Sequence, residues 1–332
     1  MEKFKHEIAK GADPLIKIIK TVYHSAEASA NVTLEELKKQ RQFIEGIAHI
    51  GFAHTRIKRN EFKVGEITAE LIRPFYGGVH QTVILYCHGG GYTCGGKEYA
   101  GILGTKLTAQ TGFNVITFAY RLAPEHKYPA AVEDTKAVWD QMIRDGVKPS
   151  NIIVAGDSAG GNLALELCLL LKKNGEELPA ALILFSPWTD MTASAPTYET
   201  EGENDPVVSL QYVHNARRAY LGDDIKDFKN PDYSPLFADF SGFPPTLIQV
   251  GKNEVLLHDS EALAARMRKH GVDVRLQIFK RGWHVFQQFP TPLAKRAMME
   301  TRDFLYEIVY GHKPKNKADS QEKRKEGEIT CG

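Results

Sequence analysis

The sequence predicts an α/β protein with a mostly parallel central sheet flanked by helices, and three observations carry that expectation. From Thr82 onward, short apolar runs at 82–87, 114–119, 152–156, 181–186, 246–250 and 274–279 alternate with stretches of helical periodicity. Alternation of this kind needs crossover connections and so gives a sheet covered on both faces. Two of the runs end in glycine-rich turns, His88-Gly89-Gly90-Gly91 and Gly156-Asp157-Ser158-Ala159-Gly160, where backbone must bend sharply or approach a ligand. The composition, 42% hydrophobic and 25% charged over 332 residues, suits one large globular domain with an appendage, or two domains.

Residues 1 to 50 read as helices that precede the sheet. Leu34, Leu37, Ile44 and Ile47 share one helical face there, and the segment is expected to form a helical cap. The segments 57–64 and 67–74 alternate in character and read as strands. One large domain is expected over 51–311. Within it, Val132, Thr135, Trp139, Met142 and Ile143 mark a helix over 131–144. The region 203–242 breaks the strand–helix rhythm and reads as an insertion over the C-terminal edge of the sheet. The tail, 312–332, has almost no apolar residues and is expected to be disordered.

Several classes are disfavoured at once. Lys plus Arg number 42 against 41 for Asp plus Glu, a balance with no electrostatic footprint for nucleic acid or an anionic membrane. No apolar run approaches the ~18 residues of a spanning helix, and the N-terminus lacks the apolar core of a signal peptide. The longest candidate, 163–171, is broken by Glu166. Of the four cysteines, Cys87, Cys94, Cys168 and Cys331, Cys87 ends an apolar run and Cys168 sits in an apolar helical stretch; they read as small core residues in a reducing compartment and not as a disulfide framework, so a cytoplasmic location is expected. No cysteine or histidine spacing fits a metal site.

Two chemistries compete for the glycines after the first apolar run. Gly91 to Lys97 fits G-x-x-x-x-G-K, most of a phosphate-binding loop, but Glu98 stands where that loop needs a hydroxyl for magnesium. His88 to Gly91 fits a turn whose amides face an oxyanion. The second turn decides between them. Gly156-x-Ser158-x-Gly160, after a strand and before a helix, is a nucleophile elbow. A serine nucleophile needs a base and an acid, in the chain order Ser, Asp or Glu, His. His284 follows the last strand and is the candidate base. Glu254, just beyond the strand 246–250, is the candidate acid. Asp259 is the alternative acid, with a helix N-cap as its structural reading. His258 lies near the acid loop, and His126 and His270 read as surface residues. Donors to the oxyanion come from the glycines at 89–91 and the amide of Ala159, with His88 orienting the turn by hydrogen bonding.

These residues, with the blocks YCHGGGY, YRLAPEHKYPAAVED, GDSAGGNLA, SPWTD, SPLFADFSGFPPTLIQVG and WHVF, resemble the hormone-sensitive-lipase-like branch of the α/β-hydrolases from about residue 67 to 310. The resemblance implies an α/β-hydrolase fold and carboxylesterase activity without a cofactor. It also implies a cap built from the N-terminal helices and from the insertion at about 203–225. By the resemblance Ser158 is the nucleophile and His284 the base. Gly90, Gly91 and Ala159 are oxyanion donors, with Gly89 as a substitute. The chain departs from the family in carrying Glu254-Val-Leu-Leu-His-Asp259 where the acid block usually supplies aspartate. The expected substrate is a small-molecule ester of short to medium acyl length. An amidase, a deacetylase of acetylated carbohydrate and a non-catalytic ligand-binding hydrolase are the alternatives. The natural substrate and the oligomeric state, a homo-oligomer included, are left open by the sequence.

Overall fold

The computed structural model describes residues 33–50, 56–76, 81–202 and 204–312. The expected helices before residue 33, the side chain of Ile47 and the tail 313–332 lie outside the described residues.

The chain forms one eight-stranded sheet from β1 (Ile57–Val64), β2 (Ile67–Pro74), β3 (Val83–Cys87), β4 (Asn114–Ala119), β5 (Ile152–Asp157), β6 (Ala181–Phe185), β7 (Thr246–Gly251) and β8 (Val274–Phe279). Their order is β1-β2-β4-β3-β5-β6-β7-β8. β2 pairs antiparallel with β1 and β4, and every other neighbour pair is parallel. The edge hairpin keeps the alternating character of a half-solvated pair, whereas every residue of β5 and β6 is buried. Strands covered on both faces read as continuous apolar runs for this reason.

Eight helices pack around the sheet among the described residues: α1 (Leu34–Ile50), α2 (Lys97–Thr111), α3 (Ala130–Arg144), α4 (Ala159–Lys173), α5 (Thr197–Thr200), α6 (Leu210–Leu221), α7 (Leu257–Lys269) and α8 (Pro292–Tyr310). On one face, Trp139 of α3, Leu163 and Leu167 of α4 and Leu263 of α7 pack with Leu85 and Val154. On the other, Leu103 and Leu107 of α2 and Phe304 and Leu305 of α8 pack with Ile84 and Ile153.

From β3 the chain crosses to β4 on one side, then returns to β5 on the other. A reversal of this kind leaves a crevice at the carboxyl ends of the two central strands, where open α/β sheets bind ligands. The turn after β3 and the elbow after β5 meet at that crevice. The loops after β7 and β8 open on the same end.

Two expectations need correction. Helix α7 begins at Leu257, so Asp259 lies inside its first turn and is not its N-cap. His270 is half-buried, and its Nδ1 accepts the N–H of Phe240 at 3.0 Å. The insertion contains α6, capped by the Ser209 hydroxyl, which accepts the N–H of Tyr212 at 3.1 Å. The apolar face of α1 is split: Leu34 is exposed, while Ile44 packs on Tyr99 and Ile102 of α2.

Candidate active site

The elbow is built by close approach. A Cβ on Gly156 would stand 2.1 Å from the carbonyl oxygen of Gly160, and one on Gly160 would stand 2.1 Å from that of Cys87. No side chain fits at either position, so β5 turns into α4 with β3 pressed against it. Between them Ser158 is forced to φ 54° and ψ −121°, a sparsely populated conformation for a residue with a Cβ. Its N–H donates to Phe185 O at 2.9 Å, and its carbonyl accepts from Trp188 N at 3.0 Å. The neighbouring strand thus holds the strained residue in place.

The serine Oγ meets His284 Nε2 at 2.9 Å, and His284 Nδ1 meets Glu254 Oε1 at 3.3 Å. All three side chains are buried. Since ionised Glu254 only accepts, the histidine carries its proton on Nδ1 and leaves Nε2 to accept from the serine. The 3.3 Å separation is long for a charge-assisted bond, as catalytic contacts often are before substrate binds. The second Glu254 oxygen is held by Gly251 N at 2.6 Å and Ser186 Oγ at 2.9 Å. Burial alone would push the imidazole pKa down. The hydrogen bond and charge of Glu254, helped by the charges of Asp205 and Asp157, outweigh it and leave the pKa above the usual histidine value.

Asp259 occupies a different place. Its Oδ2 accepts the N–H groups of Thr189 and Asp190 at 2.8 and 2.9 Å, and its Oδ1 accepts from Tyr198 Oη at 2.9 Å. It anchors the loop after β6, and it is Glu254 whose carboxylate meets His284. His258 is exposed.

The turn after β3 presents a second set of groups. Gly90 has φ 100°, and a Cβ there would lie 2.3 Å from Cys94 O. Thr93 N and Cys94 N close the turn on Gly90 O at 3.0 and 2.9 Å. Among the described residues nothing accepts the N–H of Gly90, Gly91 or Ala159. Gly89 differs: its N–H donates to Asp157 Oδ1 at 2.8 Å. That amide is committed to tying the turn to the elbow, so the expectation that Gly89 substitutes as an oxyanion donor does not hold. Asp157 also accepts from Tyr86 and, at 3.3 Å, from Gln288 Nε2, and burial lifts its pKa to about 6 against these bonds. His88 Nδ1 donates to Gly89 O at 2.7 Å while its ring stacks on Tyr120 at 4.1 Å. Burial pushes its pKa down to about 4, so the ring is neutral.

Above Ser158 lies a narrow cavity of about 40 Å³, lined by Gln40 and Ile44 of α1, by Tyr99, and by Val207, Val208 and Tyr212 of the insertion. The hydroxyl of Tyr212 lies 2.6 Å from where a Gly91 Cβ would stand. The residues that would serve a phosphate loop are engaged elsewhere. Lys97 pairs with Glu61 at 3.0 Å. The α2 amides of Glu98 and Tyr99, which such a loop would offer to phosphate, donate to the Glu45 carboxylate at 2.9 and 3.0 Å. Among the described residues no group of three His, Cys, Asp or Glu side chains is placed to hold a metal ion, and no helix is long and apolar enough to cross a membrane.

The family of alpha/beta hydrolase fold proteins matches residues 84–288, from β3 past His284. The chain belongs to that family. An esterase of Acinetobacter venetianus is 38% identical to this hydrolase over 224 residues, 67% of this chain and 74% of the relative. An acetyl-hydrolase of Streptomyces hygroscopicus is 33% identical over 244 residues, 73% of this chain and 80% of its own. The solved structure of an esterase from the bacterial hormone-sensitive lipase family shares 34% identity at a TM-score of 0.82, covering 90% of this chain and 99% of that one. The hydrolase therefore sits in the hormone-sensitive-lipase-like branch.

Reading the sequence missed Ser186, Asp205 and the linking role of Asp157. Ser186 lies in the quoted SPWTD block and Asp157 in the elbow, so their positions carried a signal. The pairings themselves, Ser186 with Glu254 and Asp157 with Gly89, span 68 residues in each case and carried none.

Proposed function

We propose that this hydrolase is a serine carboxylesterase acting on short-acyl esters. The observation that carries the reading is the 2.9 Å contact between Ser158 Oγ and His284 Nε2, with Glu254 behind the imidazole. Ser158 attacks the ester carbonyl as His284 takes its proton. The C–O bond to the alcohol breaks, the alcohol leaves with that proton, and the acyl-serine is hydrolysed by water activated in the same way. Glu254 keeps the imidazole in the required tautomer and stabilises its protonated form. The amides of Gly90, Gly91 and Ala159 receive the oxyanion, at the N-terminus of α4 where the helix dipole favours negative charge.

The small cavity and the acetyl-hydrolase relative favour acetyl and other short acyl groups. A series of p-nitrophenyl esters of rising chain length tests this: kcat/KM should peak at short acyl chains. An organophosphate should add one adduct, on the peptide carrying Ser158, and Ser158→Ala should abolish turnover. Full activity in Ser158→Ala would overturn the mechanism.

A further inference from the structure

Asp205 lies in the segment leading into α6 and is fully buried. Its Oδ1 accepts the N–H groups of Val207 and Val208 at 2.9 and 3.2 Å. Its Oδ2 accepts the N–H of Val255 at 3.2 Å. Val207 and Val208 line the cavity over Ser158, and Val255 directly follows Glu254. Thr197 Oγ1 donates to Val255 O at 2.8 Å, so the residue after the acid is held through both its N–H and its carbonyl. One carboxylate thus joins the pocket wall to the loop that carries the acid.

We propose that Asp205 is a positioning residue that holds the Val207–Val208 wall of the acyl pocket and the Glu254 loop in a single register, coupling acyl-chain selection to alignment of His284. The inference rests on the roles given above to Glu254 and His284. Three N–H donors stabilise the ionised form of a carboxylate. Here burial works against them and lifts the Asp205 pKa to about 7, with the imidazole of His284 lowering it and the charge of Glu254 raising it. Among the described residues, His284 and Glu254 are the charged groups that act most on this carboxylate, and the negative charge of Asp205 in turn raises the pKa of His284, as does Asp157. An aspartate is required because only a carboxylate offers acceptors on both oxygens. Asparagine keeps one acceptor and turns an N–H₂ towards another donor.

The test uses full-length protein, with p-nitrophenyl acetate, butyrate and octanoate as substrates. Asp205→Asn should lower kcat/KM for the best short ester by about ten-fold or more, the scale of one lost hydrogen bond to a charged group. The loss should fall mainly in kcat, the chain-length preference should flatten, and the acid limb of kcat/KM should move to lower pH. Asp205→Glu retains the charge but not the reach. Its acid limb should stay near that of the parent while its chain-length profile remains flattened. A folded Asp205→Asn protein with the parental acid limb and profile would reduce Asp205 to a purely structural role and overturn the proposal. Should Asp205→Asn not fold, hydrogen exchange on the unaltered protein decides: the amides of Val207, Val208 and Val255 should be protected together, and free exchange at any of them overturns the coupling. Turnover and Ser158 labelling in the unaltered protein test the underlying esterase reading separately.

Discussion

One hydroxyl links the loops that carry Glu254 and His284: Ser186 Oγ donates to Glu254 Oε2 at 2.9 Å and accepts the N–H of Val285 at 3.2 Å. Val285 directly follows His284, so Ser186 sets the acid and the base relative to each other. Ser186 itself adopts φ 48°, a left-handed conformation held by its backbone bond to Gln249 O at 2.8 Å. Ser186→Ala leaves a buried N–H without its acceptor and the carboxylate with one donor fewer. A hydrogen bond to a charged group is worth about 1.5–3 kcal/mol, so kcat should fall by about ten- to a hundred-fold with little change in KM. Steady-state kinetics on a short ester measures this, and an unchanged kcat would show that Glu254 is held well enough without the hydroxyl.

The pH profile follows from the balance at His284. The imidazole must be neutral to accept the Ser158 proton, and its pKa lies above the usual value. Activity should therefore be lost as pH falls, with the acid limb of kcat/KM above about 6.5, the ordinary histidine value. Glu254→Gln removes the partner that raises the pKa most. Its limb should move to lower pH, and kcat should drop by about 10⁴, as when a triad carboxylate becomes an amide. A limb that stays in place in this variant would show that the ionisation belongs to another group.

Asp259 should give the opposite pattern. Asp259→Ala leaves the buried N–H groups of Thr189 and Asp190 without acceptors, at about 1–3 kcal/mol each. Asp259→Asn can still accept both on its remaining oxygen and should cost much less. Thermal melts of the pair should separate them clearly, while kcat for folded Asp259→Asn stays within about ten-fold of the parent. A collapse of kcat in Asp259→Asn with Glu254→Gln active would exchange the two roles.

Glu166, which interrupts the apolar stretch of α4, accepts from Tyr92 Oη at 3.2 Å and Tyr220 Oη at 3.3 Å. Burial lifts its pKa to about 8. In the unfolded chain the group ionises near 4.5. Between these values the folded state binds the extra proton, so stability falls as pH rises from about 4.5 through 8. Glu166→Gln removes that dependence. Its melting temperature relative to the parent should therefore rise from pH 5 to pH 8.5, and a constant difference across that range would place the carboxyl in its ionised form throughout.

The parts of this protein that were legible in the sequence are those written in neighbouring residues. The β1 and β2 ranges, the buried runs of β5 and β6 and the glycines at 156 and 160 all follow from local pattern, because side-chain period and backbone crowding are local properties. Asp259 shows the limit. Its position before a helical stretch suggests a cap, but its carboxylate reaches Thr189, 70 residues away. Gly89 is a second case. Its motif offers an amide to substrate, while Asp157 claims that amide from the far side of the elbow. The phosphate-loop pattern at 91–97 fails for the same kind of reason, because the helix amides it would use are taken by Glu45, 53 residues earlier than Glu98.

The α1 helix carries the last prediction. Arg41 donates to Thr93 O and Ala123 O, both at 2.7 Å, and pairs with Glu125 at 2.8 Å. One turn on, Glu45 accepts the first amides of α2. Directly before each of these anchors, Gln40 and Ile44 line the cavity above Ser158. The helix is therefore clamped to the turn after β3 by a guanidinium whose fork reaches Thr93, Ala123 and Glu125, a geometry that lysine cannot reproduce. Arg41→Ala and Arg41→Lys should both loosen α1, raise KM for short esters and flatten the preference among acyl lengths. Ser158, held by the sheet and not by α1, should still label with a small organophosphate at a rate within about ten-fold of the parent, a change of at most about 1.4 kcal/mol in the barrier. If the chain-length profile of Arg41→Ala matches the parent while the protein remains folded, α1 covers the sheet edge without shaping the acyl pocket, and among the described residues the size limit falls to the rest of the lining, Tyr99, Val207, Val208 and Tyr212.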